Sequence, residues 1–154
     1  MPDNELEKLA VQLGADCPFF VRNKPVIATG IGDVFENISI SLKDYYILIV
    51  KPEAEVSTKE AYAGVTPRTP PLPVREIVGR YPVEEWKRYL SNDFEASIFK
   101  VHPSLQKIKE ALYSHGALYA SMTGSGSAFY GLFKEKIELG DIFGDAFVWS
   151  GVLE

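Results

Sequence analysis

Tyr45-Tyr46-Ile47-Leu48-Ile49-Val50 is an almost unbroken apolar run, rich in aromatic and β-branched side chains. Such a run suits a central β-strand covered on both faces. Upstream, Val26 to Thr29 and Asp33 to Ile38 read as two further strands, bounded by Asn, Gly, Ser and Asp turn residues. Downstream, Pro52 ends the run, and Ser57 with Glu60 forms a capping-box pattern that starts a helix at Ser57. The stretch Gly64 to Pro73 holds prolines at 67, 70, 71 and 73 and is expected to lie extended on the surface. Beyond it, Val74 to Arg80, Val83 to Leu90, Asp93 to Lys100 and Ser104 to His115 read as helices, the last entered at Pro103 and left at Gly116. The chain then returns to strands at Leu118 to Met122, Ala128 to Phe133 and Ala146 to Val152. Strands, helices and strands in that order predict an α+β domain.

The chain opens with a helical pattern, Leu6, Leu9, Ala10 and Leu13, capped by Asp3 or Asn4 and ending at Gly14. Its 154 residues are 46% hydrophobic and 24% charged, which fits one domain with a core and excludes disordered, collagenous and coiled-coil chains. A net charge of -5 argues against nucleic acid or anionic lipid held by bulk electrostatics. The single cysteine, Cys17, excludes a disulfide framework and a cysteine-rich zinc module. No apolar run approaches a bilayer span and the N-terminus lacks signal-peptide character, so a cytoplasmic location is expected.

Two segments invite chemistry. Asp16, in Gly14-Ala15-Asp16-Cys17-Pro18-Phe19-Phe20, sits between a helix end and an aromatic run. It reads either as a base tuned by partial desolvation or, more commonly for a lone Asp at a turn, as the cap of a short helix opening at Pro18. Cys17 beside it has no obvious activating histidine and reads as a buried structural thiol. The second segment, Ser121 to Ala128, joins two strands through Gly124, Ser125, Gly126 and Ser127. Its small residues suit either a backbone-amide nest for an anion or a simple turn. Neither a dinucleotide fingerprint nor a Walker A loop is present. Thr29-Gly30-Ile31-Gly32 reads as a hairpin, and Trp86 with Tyr89 as a buried helix face. His102 and His115 stand in no metal-ligand spacing, and no metal is assigned.

Taken together and in order, four segments resemble the 4-diphosphocytidyl-2-C-methyl-D-erythritol kinase family. They are Gly14 to Phe20, Ala28-Thr29-Gly30-Ile31-Gly32-Asp33, Val56-Ser57-Thr58 with Tyr62, and Thr123-Gly124-Ser125-Gly126-Ser127. Asn92-Asp93-Phe94-Glu95 adds a fifth match. The family belongs to the galactokinase, homoserine kinase, mevalonate kinase and phosphomevalonate kinase superfamily, and acts in non-mevalonate isoprenoid biosynthesis. The resemblance implies a ferredoxin-like C-terminal domain, an antiparallel sheet with helices packed on one face. It also implies transfer of the γ-phosphoryl group of ATP, assisted by Mg2+, to the 2-hydroxyl of the methylerythritol unit. By that likeness Asp16 is the catalytic carboxylate, and Thr58 and Tyr62 line the cytidyl pocket. Gly124, Ser125, Gly126 and Ser127 form a turn that supports the phosphate-binding loop. For Asn92 and Asp93, helix capping is favoured over chemistry.

The family's glycine- and serine-rich phosphate loop and the lysine that partners its catalytic carboxylate find no counterpart here. Residues 1–154 therefore resemble the C-terminal, substrate-binding part, without the N-terminal ATP-binding part, and are expected to be inactive alone. An exposed apolar patch near Asp16 and the glycine turn, with self-association through it, is a further expectation. Two alternatives stay open: a sister kinase acting on another small alcohol, and a non-catalytic module that binds a ligand or partner.

Overall fold

The computed structural model describes residues 3–14, 16–66, 69–137 and 141–154. Pro67 of the proline-rich stretch and the side chains of Asp3 and Asn4, the expected helix caps, lie outside the described residues. The order of elements is α1 (Asp3–Ala10), α2 (Cys17–Arg22), β1 (Val26–Thr29), β2 (Val34–Asn37), β3 (Tyr46–Lys51), α3 (Thr58–Gly64), α4 (Val74–Arg80), α5 (Val83–Trp86), α6 (Glu95–Val101), α7 (Pro103–Ser114), β4 (Tyr119–Met122), β5 (Phe129–Phe133), a 3-10 turn (Asp141–Phe143) and β6 (Phe147–Val152).

The apolar run quoted above becomes β3, an inner strand of an antiparallel four-stranded sheet ordered β4-β5-β3-β6. Strand alternation then sorts its side chains. Leu48 and Val50 point to one face, where Ala120, Met122, Phe129 and Phe133 join Ala61 of α3, Ile98 of α6 and Leu105 and Leu112 of α7 in the main core. Ile47 points to the other, packing with Tyr119, Leu132 and Tyr130 against Ile77 of α4 and Val83 and Trp86 of α5. The main helical layer thus covers one face as the resemblance implied, and α4 and α5 add a cover to part of the opposite one. Val50 and Phe129 are fully buried, and each contributes about 2–3 kcal/mol of transfer free energy.

Local chemistry explains the boundaries. Pro103 opens α7, and Gly116, at φ +93, takes the left-handed conformation that lets the chain turn into β4. The helix expected over Val83 to Leu90 ends at Trp86, because Arg88 and Tyr89 N–H groups turn back three residues to Glu85 and Trp86 carbonyls. Trp86 itself is buried and donates from Nε1 to the Tyr81 carbonyl at 2.9 Å. Gly30 and Gly32, at φ +69 and +100, close the β1–β2 hairpin. His115 caps the end of α7, its Nδ1 2.8 Å from the Ala111 carbonyl.

Candidate active site

The glycine turn links β4 to β5. Thr123 N–H donates to the Ala128 carbonyl and Gly126 N–H to the Thr123 carbonyl, at 2.8 and 2.9 Å. Gly126 lies at φ +101, and a Cβ there would come within 2.9 Å of the Met122 sulfur, so both backbone and space demand glycine. Its N–H is engaged inside the turn, which leaves fewer amides for the nest considered above. Ser127 is buried and donates from Oγ to the Ala54 carbonyl, while Lys51 Nζ donates to the same Oγ at 3.1 Å. A cleft of about 430 Å³ opens beside it, lined by Lys51, Glu55, Val56, Ser57, Glu60, Gly126 and Ser127.

Helix α3 forms the facing wall. Ser57 Oγ accepts from Glu60 N–H at 3.1 Å, the first half of the expected capping box. The second half is absent: the Glu60 carboxylate instead meets His102 Nε2 at 2.8 Å, tying α3 to the α6–α7 corner. Thr58 points at the glycine turn, with Oγ1 3.5 Å from Ser125 Oγ. One turn on, Tyr62 rests edge-on against Phe94, ring centroids 4.9 Å apart, and keeps 63% of its surface exposed. Thr58 and the Gly124–Ser127 turn therefore meet, and Tyr62 stands one helical turn from Thr58, against Phe94.

Asp16 lies elsewhere in the contact network. It precedes α2 with helical backbone angles and makes no side-chain cap bond. Pro18 stands at the second helical position and has no N–H to offer a capping carboxylate, which removes half of the usual cap. The Asp16 side chain is exposed, and its Oδ1 lies 3.5 Å from the point where a Cβ on Gly32 would sit. No hydrogen bond or ion pair joins Asp16 to Thr58, Tyr62 or the glycine turn among the described residues. Leu13, Phe20 and Ile31 are 85%, 71% and 75% exposed, an apolar surface on the Asp16 side; among the described residues no exposed large hydrophobic lies in the glycine turn, to which the expected patch also extends. Cys17 is half-buried.

Sequence reading missed three participants. Lys51 was visible only as the residue after the apolar run, yet it reaches Ser127 and the Pro52 carbonyl, the latter at 3.2 Å. Asn92 was read as a cap, and its amide turns out to bond Met122 and Gly124 carbonyls at 2.9 and 2.7 Å. Glu95, 6% exposed, accepts from Met122 N–H at 2.8 Å and pairs with Lys109 at 2.5 Å. Its place in the Asn92-Asp93-Phe94-Glu95 match was the available signal. No group of three or more His, Cys, Asp or Glu side chains converges to hold a metal among the described residues.

Residues 82–143 match the family model of the GHMP kinase C-terminal domain. The chain is 53% identical over 154 residues to a Parabacteroides distasonis protein named 4-diphosphocytidyl-2-C-methyl-D-erythritol kinase, an alignment covering 99% of this chain and 56% of that one. It is 52% identical over 136 residues to the Bacteroides thetaiotaomicron protein of the same name, covering 88% of this chain and 49% of the relative. A crystal structure of 4-(cytidine 5'-diphospho)-2C-methyl-D-erythritol kinase superposes with a TM-score of 0.68 at 30% identity, over 82% of this chain and 47% of that one. Homoserine kinase from Cytophaga hutchinsonii shares the fold, with a TM-score of 0.55 at 16% identity over 78% of this chain and 45% of that one. The chain spans about half the length of the curated relatives it matches.

Proposed function

We propose that this chain, whose residues 82–143 match the GHMP kinase C-terminal model and which is 53% identical to a named kinase over part of that relative's length, is the acceptor-binding part of a small-molecule kinase. The reaction is transfer of the γ-phosphoryl group of ATP to the 2-hydroxyl of 4-diphosphocytidyl-2-C-methyl-D-erythritol. The observation that carries this reading is the meeting of α3 with the glycine turn, Thr58 facing Ser125 while Tyr62 offers an exposed aromatic face beside them. An aromatic ring and a hydroxyl four residues apart on one helix suit a nucleobase, which takes stacking and a hydrogen bond together.

In this reading Asp16 accepts, or orients, the proton of the attacking hydroxyl. A carboxylate with no cap bond, and no ion pair among the described residues, keeps its lone pairs for that role. In the same reading the glycine turn supports the phosphate-binding loop, and Lys51, beside Ser127 at the cleft, offers an ammonium to phosphate oxygens. Mg2+ would screen phosphate charge when it accompanies ATP, and no group of three or more His, Cys, Asp or Glu side chains forms a metal cage among the described residues. Positioning dominates phosphoryl transfer, so the chain as it stands is expected to be inactive, with its partner surface supplied by the N-terminal ATP-binding half.

The test is an ADP-release assay on two proteins, the chain alone and a version extended at its N-terminus to the length of the curated relatives. Expected are activity with 4-diphosphocytidyl-2-C-methyl-D-erythritol only in the extended protein, and a loss of roughly 10²-fold or more in its Asp16→Asn variant. Turnover by the chain alone, or a folded extended protein that leaves this alcohol untouched, overturns the reading.

A further inference from the structure

The glycine turn is gripped by one four-residue segment whose chemistry exceeds what capping needs. Asn92 Oδ1 accepts from Phe94 N–H at 2.9 Å, the local bond of an Asx turn that leads into α6. An aspartate would make that bond equally well. The amide nitrogen does something else: its two N–H groups donate to the Met122 carbonyl at 2.9 Å and the Gly124 carbonyl at 2.7 Å, thirty and thirty-two residues away in sequence. Glu95, three residues on, takes Met122 N–H at 2.8 Å, so both polar groups of Met122 are held from the same segment. Between them Phe94 carries the ring against which Tyr62 rests.

We propose that Asn92 is a positioning residue for phosphoryl transfer, locking the glycine turn in the register that presents Ser125 to Thr58. Fixing the Gly124 carbonyl fixes the peptide that leads into Ser125, whose hydroxyl lies 3.5 Å from Thr58. Because the same segment also supports Tyr62, it holds both walls of the acceptor site in one frame. The kinetic consequence rests on the kinase reading above, whereas the structural one does not.

Asn92→Asp separates the two roles. It keeps the acceptor that serves Phe94 N–H, yet replaces two donors by a carboxylate oxygen facing two carbonyls, a repulsive arrangement. In the extended kinase, KM for the alcohol is expected to rise about tenfold while kcat changes less than about threefold, since the lost contact serves ground-state and transition-state binding alike. In the chain as it stands, amide hydrogen exchange at Gly124 to Ser127 is expected to accelerate about tenfold or more, with exchange in β3 and β5 unchanged. Turn amides exchanging at the wild-type rate, or an unchanged alcohol KM in an active enzyme, overturns the proposal. If the extended protein phosphorylates no alcohol, the kinase reading fails and the exchange comparison still decides what Asn92 does.

Discussion

Glu95 carries a charge to the underside of the glycine turn, where it is 6% exposed and answered by Lys109 Nζ, Met122 N–H and, at 3.4 Å, Ser121 Oγ. A buried ion pair adds little by itself, but removing one partner strands the other. Glu95→Ala is therefore expected to cost about 2–4 kcal/mol in urea unfolding, the lower part of that range applying because Lys109 keeps access to solvent. Glu95→Gln retains an acceptor for Met122 N–H and is expected to cost clearly less. An alanine variant as stable as the parent would show the pair to be dispensable. One buried phenol, Tyr119, and two half-buried ones, Tyr113 and Tyr130, act at alkaline pH. Burial pushes Tyr119 up most, and the same cause raises Tyr130 and Tyr113. A phenol whose folded pKa is raised contributes stability that is complete below its unfolded value of about 10 and is lost as pH climbs toward the folded one. Unfolding free energy is thus expected to hold level up to about pH 10 and to fall above it, with Tyr119→Phe reducing the alkaline loss. A parallel fall in both proteins would assign the loss to other groups.

Helix α3 is placed by contact with α6, and the closest point of that contact is a glycine. A Cβ on Gly64 would stand 2.7 Å from Ser97 Cβ, so the last turn of α3 reaches α6 only without a side chain. Gly64→Ala is expected to push the helices apart and cost about 1–3 kcal/mol, and Ser97→Gly in the same chain is expected to return part of it. A neutral Gly64→Ala in thermal or urea unfolding would show that α3 yields without strain, and with it Thr58 and Tyr62. Much of this level was legible. The run Tyr45 to Val50 announced the inner strand because every second residue had to be apolar on both faces. Val74 to Arg80 and Val26 to Thr29 came out with their expected bounds, since Pro73 and the Gly30 turn punctuate them locally. The site divided differently. Thr58, Tyr62 and the Gly124–Ser127 turn were found through motifs, and the meeting of Thr58 with the turn is a fact of packing. Asn92 and Glu95 stood in the fifth motif, but their bonds to Met122 were not legible, because that partner lies 30 and 27 residues away, beyond any local pattern. Glu60 misled for the same reason: its distant partner His102 outcompeted the capping-box bond next to it.

The molecule as a whole divides its apolar surface unequally. From residue 40 onward the chain supplies both buried clusters, whereas among described residues 5–37 Pro18 alone is buried. Helices α1 and α2 and the β1–β2 hairpin pack chiefly within their own pairs. They are joined by surface devices: Arg22 pairs with Glu7 and lies over the Phe35 ring, and Glu36 pairs with Arg75 of α4. The Arg22 guanidinium, hydrogen-bonded to Glu7, holds that carboxyl below its usual range, so this tie loosens as pH falls through the lowered value. The Arg22–Glu7 pair is half-buried and the Glu36–Arg75 pair exposed, and an exposed pair stabilises weakly, while Leu13, Phe20, Ile31 and Val34 remain largely in water. Local opening free energy follows buried apolar contact. Amides of β1 and β2 are therefore expected to exchange at least about 10²-fold faster than those of β3 and β5, and limited proteolysis to cut first before residue 45. In the extended protein of the kinase test, the same amides are expected to slow toward the rate of β3, as the added half covers the apolar side chains around Asp16. Equal exchange in the two proteins would place that half elsewhere and leave Asp16 without the surroundings that phosphoryl transfer requires.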